Sequence, residues 1–172
     1  MIIKGEKIQL QRLKPAHAEQ VQAILNHEEI TQYLVFPFPY TLKKAQKYIR
    51  KSHLRWQNQT AKVFGIFTNE QMIGVISLHN LNSATKAGEI FYVLDTQFQK
   101  KGLGFEAAKI LINFAFEELK IQTIKAKVIP ENIASIHLLK KLGFEFDSKL
   151  PHAVERQGKI YFHDLYLLKN HS

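Results

Sequence analysis

Two strand-like segments separated by one helix-like segment constrain the fold of this chain more than any other feature. The segments GEIFYVLD (residues 88–95) and TIKAKVI (residues 123–129) are rich in β-branched and aromatic residues, and the second alternates apolar with polar residues. Between them the sequence predicts a helix that runs to about Leu119 and has apolar residues at helical spacing. A strand, a crossover helix and a second strand favour a parallel pair. We therefore expect a parallel pair within a mixed sheet.

The segments around this unit add strands and helices to one predicted domain over residues 1–172. The pattern predicts further strands at residues 7–13, at KVFGIFT and QMIGVISLHNL around an NEQ turn, and at residues 145–154 and 159–168 around an RQG turn. Helices are predicted at AHAEQVQAILN, at EEITQYL, from an N-cap at Thr41 to about Trp56, and at NIASIHLLKKLGF with Gly143 just past its end. The fold class is α/β, with about seven strands in a mixed central sheet flanked by helices.

Composition narrows the class of protein further. The 172 residues carry a net charge of +9 and include no cysteine, so disulfides, thiolate metal sites and a cysteine nucleophile are excluded. No apolar run approaches the length of a membrane helix, and we expect a cytoplasmic protein. The basic surface suits an acidic partner, which could be a nucleic acid, a polyphosphate cofactor or an acidic protein. Seven basic residues and no acidic residue lie in residues 41–62.

The loop that follows the strand at residues 88–95 combines cations with closely spaced glycines, in the sequence FQKKGLGFEAAK (residues 98–109). Glycines allow backbone N–H groups to approach a ligand, and a helix N-terminus attracts phosphate. The residues after Gly104 do not match a GxxxxGK[ST] phosphate loop, and Ala107 replaces the third glycine of a dinucleotide loop. Spacing alone leaves two alternatives open, a phosphate site and an ordinary basic loop.

Four segments, which occur along the chain in the order that the family shows, resemble the GNAT N-acetyltransferase superfamily. Gln99-Lys-Lys-Gly-Leu-Gly104 is similar to its Q/R-x-x-G-x-G/A acetyl-CoA loop, and GVISLHNL is similar to its third strand. VIPENIASIHLLKKLGFEF resembles its N-x-x-S/A helix, and LQRLKPAHAEQVQAILNHEEITQYL resembles the ribosomal-protein alanine N-acetyltransferase subgroup. The resemblance implies the GNAT acyl-CoA N-acyltransferase fold, with a sheet splayed between the fourth and fifth strands.

The same resemblance implies which residues bind acetyl-CoA, the co-substrate. The pyrophosphate would contact the loop, mainly through backbone N–H groups, and the pantetheine arm would lie along the end of the preceding strand, with Asn132 beside it. The cofactor-binding residues are then Tyr92, Val93, Leu94, Gln99, Lys100, Lys101, Gly102, Leu103, Gly104, Phe105, Asn132 and Ser135. Asn132 could instead be a simple N-cap. No metal is expected.

The resemblance also implies direct attack by an amine on the thioester, which agrees with the absence of cysteine. Many family members carry a tyrosine acid where this chain has Leu139, and Ser135 is the substitute in the ribosomal-protein subgroup. Alternatively, Ser135 only bonds its own helix. Glu89 is the first candidate for the general base, with His79 second because its ordinary pKa suits the work. Glu89 could also be an exposed residue paired with a lysine.

The acceptor side is predicted from aromatic residues near the N-terminal helices. Tyr33, Phe36 and Phe38 belong to YLVFPFPY, whose prolines break regular structure, and this segment either forms a pocket wall or packs as a loop. We place Tyr33, Phe36, Phe38, His79 and Glu89 on the acceptor side, with His152 and Arg156 at its rim. The acceptor is a protein N-terminal amine or a small amine.

Two further activities stay open from sequence. One is a basic RNA- or ribosome-binding module that uses residues 41–62 with Tyr48 and Trp56, and the other is a CoA-binding protein without catalysis. A contact with the ribosome could coexist with acetyl transfer. No membrane partner is expected, and the protein is expected to be a monomer or a homodimer.

Overall fold

The structure is a computed structural model that describes residues 1–34, 36–156 and 158–171. Val35 lies in the predicted VFPFPY loop and Gln157 in the predicted RQG turn, and both lie outside the described residues. The remaining predicted segments can all be compared with the structure.

The described residues form a mixed α/β fold. Its helices are α1 (Ala18–Leu25), α2 (Glu28–Thr31), α3 (Leu42–Gln57), α4 (Leu103–Glu117) and α5 (Ile133–Lys141). Its strands are β1 (Ile2–Lys4), β2 (Gln9–Arg12), β3 (Lys62–Thr68), β4 (Gln71–Asn82), β5 (Ala87–Leu94), β6 (Thr123–Val128), β7 (Glu145–Arg156) and β8 (Lys159–Lys169). None of the described helices combines the length and the apolar composition that a membrane crossing would require.

All eight strands belong to one sheet, in the order β1-β2-β3-β4-β5-β6-β8-β7. The pair β5–β6 is parallel and every other neighbouring pair is antiparallel. The strand–helix–strand prediction is thus confirmed, with α4 as the crossover. The parallel pair at the centre of the sheet separates an N-terminal antiparallel half from a C-terminal one.

The sheet has one strand more than the seven that we predicted. The first predicted strand, at residues 7–13, is shorter in the structure because Gly5 and Ile8 close a tight turn, with the Gly5 N–H donating to the Ile8 carbonyl at 2.8 Å. This turn lets Ile2–Lys4 pair with β2 as a separate edge strand. The predicted helix ends agree better with the structure. The Thr41 hydroxyl caps α3, and Gly143, with φ of 93°, follows α5.

Two apolar cores lie on opposite faces of the sheet, and β5 contributes alternate residues to both. Ile90 and Leu94 belong to the core beneath α4, which also includes Leu111. Val93 belongs to the core beneath α1 and α3, and Phe91 packs against that core. Because successive side chains of a strand point to opposite faces, the end of β5 is held firmly from both sides. This strand forms one wall of the candidate site.

Candidate active site

The site begins where β5 and β6 separate. We call the cleft between the diverging strands the fork, and its apex is the last residue pair, Glu89 and Lys125. Their pairing covers only Ala87–Thr123, Gly88–Ile124 and Glu89–Lys125. Beyond these pairs the strands diverge and leave a cavity of about 460 Å³, which is bounded by residues 90–94 of β5, residues 126–129 around the end of β6, the start of α4 and the inner side of α5. We predicted a splay between the fourth and fifth strands. The structure has this splay between β5 and β6, because the additional strand β1 raises each strand number by one.

The α4 end of the cavity is built from backbone. Gly102 is the N-cap of α4, with a left-handed φ of 79°, and no side chain caps the helix. The first-turn N–H groups of a helix have no intrahelical acceptor, so those of Leu103 to Phe105 can bind an anion at the positive end of the helix dipole. A Cβ added to Gly104 would lie 2.9 Å from the Leu94 side chain, which lines the cavity. The start of α4 therefore offers backbone N–H donors that no side chain caps.

The polar side chains of the loop have structural partners of their own. The Gln99 side-chain amide donates to the Leu94 carbonyl at 3.0 Å and so ties the loop to the end of β5. Lys101 lies over the Phe98 ring at 5.3 Å, and Lys141 of α5 lies over the Phe105 ring at 4.6 Å. Lys141, which sequence reasoning missed, lines the cavity, whereas the predicted Lys101 does not.

Most of the predicted cofactor-binding residues lie together around this cavity. The lining includes Tyr92, Val93, Leu94, Gln99, Lys100, Gly102, Gly104, Phe105, Asn132 and Ser135. Leu103 instead packs its side chain into the core beneath α4. A contact between Leu103 and the cofactor would therefore be made by backbone atoms.

The edge of β5 offers a hydrogen-bond donor at the mouth of the fork. The Asp95 N–H donates to the Ile73 carbonyl on the β4 side at 2.8 Å. Because N–H groups alternate in direction along a strand, the Leu94 N–H points to the other side, where β6 has already diverged. The geometry suits polarisation of a thioester carbonyl.

Ser135 and Asn132 lie at the start of α5, on the opposite wall. The Asn132 side chain accepts from the Ser135 N–H at 3.3 Å, so Asn132 is the N-cap of α5. The Ser135 hydroxyl lies 2.7 Å from the Tyr92 hydroxyl of β5. This hydroxyl pair joins the two walls of the fork, and it differs from the alternative in which Ser135 bonds only its own helix.

Glu89 lies at the apex of the fork within a cluster of polar side chains from three strands. Its carboxylate is 3.1 Å from the Lys127 ammonium and 4.0 Å from His79 Nε2, and it accepts from the Asn80 side chain at 3.2 Å. Its side chain is only 12 % exposed, so Glu89 is paired with a lysine but is not an exposed strand residue. Lys127 lines the cavity, whereas neither Glu89 nor His79 is among the described lining residues. Burial lowers the pKa of His79, with Glu89 acting in the opposite direction.

His163 of β8 is a titratable residue that sequence reasoning missed. Burial lowers its pKa, and the charges of Arg156 and Lys127 lower it further, while the charge of Glu89 raises it. His163 is therefore close to the Glu89 cluster although 74 residues separate the two along the chain. Only the alternation of the last strand could have suggested that it faces inward. Among the described residues, no group of three or more metal-ligating side chains is arranged to hold an ion.

The predicted acceptor-side residues fall in different surroundings. Tyr33 lines the cavity and contacts the ring of Tyr161 edge-on, with 6.0 Å between centroids. Phe36 packs against Tyr40, Tyr48 and Phe91, which ties the loop to the core. Phe38 is 44 % exposed.

The two residues placed at the rim lie on β7. His152 is exposed, while Arg156 is half-buried and influences His163 through its charge.

The basic helix α3 presents its cations to solvent but not its aromatic rings. Lys43, Lys44, Lys47, Arg50 and Lys51 are exposed. Tyr48 packs against Phe36, and Trp56 lies between Arg12 and Lys62 and against Phe64. Neither ring is free to stack on a nucleic-acid base, so α3 offers charge without the aromatic platform that single-stranded nucleic acid usually meets.

A family comparison agrees with this geometry. Residues 7–145 match the model of the acetyltransferase (GNAT) domain, which covers most of the chain. The chain belongs to the GNAT acetyltransferase family, and it is an acetyl-CoA-dependent N-acetyltransferase.

Individual relatives differ in the acceptors that their names state. The chain is 28 % identical to "Probable N-acetyltransferase YjcK" of Bacillus subtilis over 98 % of its own length and 97 % of the relative's. It is 28 % identical to "Putative ribosomal N-acetyltransferase YdaF" of the same organism over 75 % of its length and 78 % of that protein's. It is 24 % identical to spermidine N(1)-acetyltransferase of Escherichia coli over 86 % and 78 %.

A solved structure of similar fold contains coenzyme A. RimL, a ribosomal L7/L12 alpha-N-protein acetyltransferase in complex with coenzyme A, superposes with a TM-score of 0.91 at 21 % identity and covers 98 % of each chain. At this level of identity the similarity shows the fold.

Proposed function

We propose that this enzyme acetylates the N-terminal amine of a protein, as ribosomal-protein N-acetyltransferases do. The observation that carries the proposal is the charge around the fork. The described cavity lining has three cations, Lys100, Lys127 and Lys141, and one carboxylate, Glu29. Glu89 behind the lining is already paired with Lys127. A polyamine, which carries several positive charges, would meet more repulsion there than a peptide with a single terminal amine.

The open shape of the fork and the exposed cations of α3 support the same proposal. The cavity reaches from the α4 loop to Tyr33 next to α2, so an extended chain end can enter from the acceptor side. The α3 cations lie on the sheet face that carries Phe91 and would attract an acidic protein or the ribosome. Binding to the ribosome would place newly made N-termini near the site.

The chemistry assigned to the site is direct transfer. The α4 loop holds the pyrophosphate, and the Leu94 N–H polarises the thioester carbonyl. The amine nitrogen attacks this carbonyl carbon, the C–N bond forms, and the C–S electron pair leaves on sulfur. Glu89 receives the amine proton through a water molecule, since it stands behind the lining residues. Ser135, which lines the cavity, provides the hydroxyl that faces the departing sulfur.

A thiol-release assay with matched acceptors tests the proposal. Peptides with a free N-terminus should support turnover, while the same peptides with an acetylated N-terminus and an internal lysine should not. Spermidine and small amines serve as the competing acceptors. Turnover with spermidine alone would assign the enzyme to small amines, and turnover with blocked peptides would assign it to lysine side chains; either result would overturn the N-terminal proposal.

A further inference from the structure

The position seven residues after Asn132, on α5, carries no hydroxyl. Leu139 occupies it, with 1 % of its surface exposed. Two other hydroxyls line the cavity at this point, those of Ser135 on α5 and Tyr92 on β5, and they are hydrogen-bonded to each other at 2.7 Å. A contact between residues 43 positions apart on opposite walls of the fork is not accounted for by the caps or ladders of either element.

The environment of Tyr92 keeps its hydroxyl protonated. Its ring packs against the core beneath α4. Burial raises the pKa of Tyr92 to about 12, and the hydrogen bond to Ser135 acts in the opposite direction. The phenol therefore carries its proton throughout the pH range in which an amine acceptor reacts. The described structure gives the Tyr92 hydroxyl one other acceptor, the Ser135 carbonyl, at the long distance of 3.5 Å.

Ser135 has a single hydroxyl proton, and its direction decides what it can do. If Tyr92 donates to Ser135 Oγ, one lone pair of the serine is occupied and its own proton must point elsewhere. The Asn132 cap fixes the backbone of Ser135, and the side chain borders the cavity. The open direction is thus into the cavity. A serine on a helix without such a donor tends to bond the carbonyl one turn earlier.

We propose that Tyr92 is a positioning residue that directs the Ser135 hydroxyl proton toward the sulfur of coenzyme A. As the C–S bond breaks, Ser135 donates its proton to the thiolate and recovers one from water in the cavity. The proton lost by the acceptor amine balances the proton gained by sulfur, so no further reactant is needed. The inference rests on the proposed role of Ser135, and it does not depend on which amine is the acceptor.

The test compares Tyr92→Phe, Ser135→Ala and the double variant in single-turnover thiol release, with whichever amine supports turnover. Tyr92→Phe should slow release about tenfold, the effect of one hydrogen bond to a reacting group. Its acetyl-CoA Kd should stay within about twofold, since the phenyl ring is retained. The double variant should be no slower than Ser135→Ala, because Tyr92 acts only through the Ser135 hydroxyl.

Tyr166→Phe is the matched control, since Tyr166 is a buried tyrosine of the same core outside the described cavity lining. It should leave the rate of release unchanged. If the effects of Tyr92→Phe and Ser135→Ala multiply in the double variant, the two residues act independently. This result would overturn the positioning role of Tyr92. A Tyr92→Phe variant with weaker acetyl-CoA binding or a lower melting temperature, but an unchanged rate, would assign Tyr92 to structure alone. Failure of the N-terminal peptides as acceptors would leave this comparison intact.

Discussion

The two ends of the fork differ in whether backbone or side-chain atoms form them. At the α4 end, the backbone N–H groups of Leu103 to Phe105 follow the N-cap Gly102, and the neighbouring Gln99 side chain donates to the Leu94 carbonyl. At the apex, the Glu89 carboxylate of β5 lies 3.1 Å from the Lys127 ammonium of β6 and 4.0 Å from the His79 imidazole of β4. One end is therefore a backbone site, and the other is a side-chain site.

This difference explains why the two ends can serve different purposes. A backbone site depends on the path of one short segment and tolerates changes of side chain, which suits a constant ligand such as acetyl-CoA. A cluster of side chains from several strands can be altered one residue at a time, which suits an acceptor that differs among relatives. The contrast leads to substitutions whose effects should differ in kind.

Replacement of the carboxylate at the apex should have the largest effect. Glu89→Gln keeps the size of the side chain but removes its ability to receive a proton. We expect kcat/KM for the acceptor to fall about 100-fold or more, within the range typical of general base catalysis, while the acetyl-CoA Kd is unchanged. Steady-state kinetics and thermal shift with acetyl-CoA provide the two measurements.

Glu70→Gln is the matched control for Glu89→Gln, because it removes one carboxylate at the exposed turn between β3 and β4. Its kinetics should equal those of the unaltered enzyme. If Glu89→Gln keeps activity within about twofold, the apex is not the proton acceptor, and His163 or solvent must be examined instead.

A β-branched side chain at the α4 end should weaken acetyl-CoA binding strongly. Gly104→Val places a Cβ against Leu94 and further atoms in the cavity. We expect an increase in the acetyl-CoA Kd of about 10- to 100-fold, which corresponds to loss of one charge-assisted hydrogen bond. Lys100→Ala should raise it less than about fivefold, because an exposed cation contributes little.

Thermal unfolding of both loop variants without ligand separates binding from folding. Gly104→Ala adds only the Cβ and should give an intermediate Kd. A larger loss of binding in Lys100→Ala than in Gly104→Val would mean that side chains hold the pyrophosphate, and the contrast between the two ends would disappear.

The smallest effect is expected on stability at low pH. The pKa values of His17, His79 and His163 lie below the ordinary 6.5 in the folded protein, mainly because burial disfavours their charged forms. The unfolded chain therefore binds more protons as the pH falls through 6.5, and the free energy of unfolding should decrease. Above this pH all three are neutral in both states and contribute no slope.

Urea unfolding at pH 7.5, 6.5 and 5.5 measures the effect. The variant His163→Gln should lose part of the dependence between pH 6.5 and 5.5, while His152→Gln, at an exposed position, should retain all of it. Stability that rises as the pH falls through this range would contradict the inferred burial of these imidazoles.

Local patterns predicted much of the architecture and the backbone part of the site. Thr41, Gly143 and the glycines after β5 act through their own neighbours, so their roles follow from short segments. The same patterns failed at the N-terminus, where the separate strand β1 depends on the turn between Gly5 and Ile8. Residues 1–4 are too few to show a hydrophobic periodicity of their own.

The sequence by itself determined the parallel crossover, the glycines at the start of α4 and the absence of a cysteine nucleophile, because each is a property of one segment or of composition. Only the tertiary structure decided that Tyr92 meets Ser135, that His163 reaches the Glu89 cluster, and that Trp56 is held between Arg12 and Lys62. These contacts join residues that lie far apart in the chain, and they depend on sheet order and on the divergence of β5 from β6. Local sequence patterns therefore do not predict them.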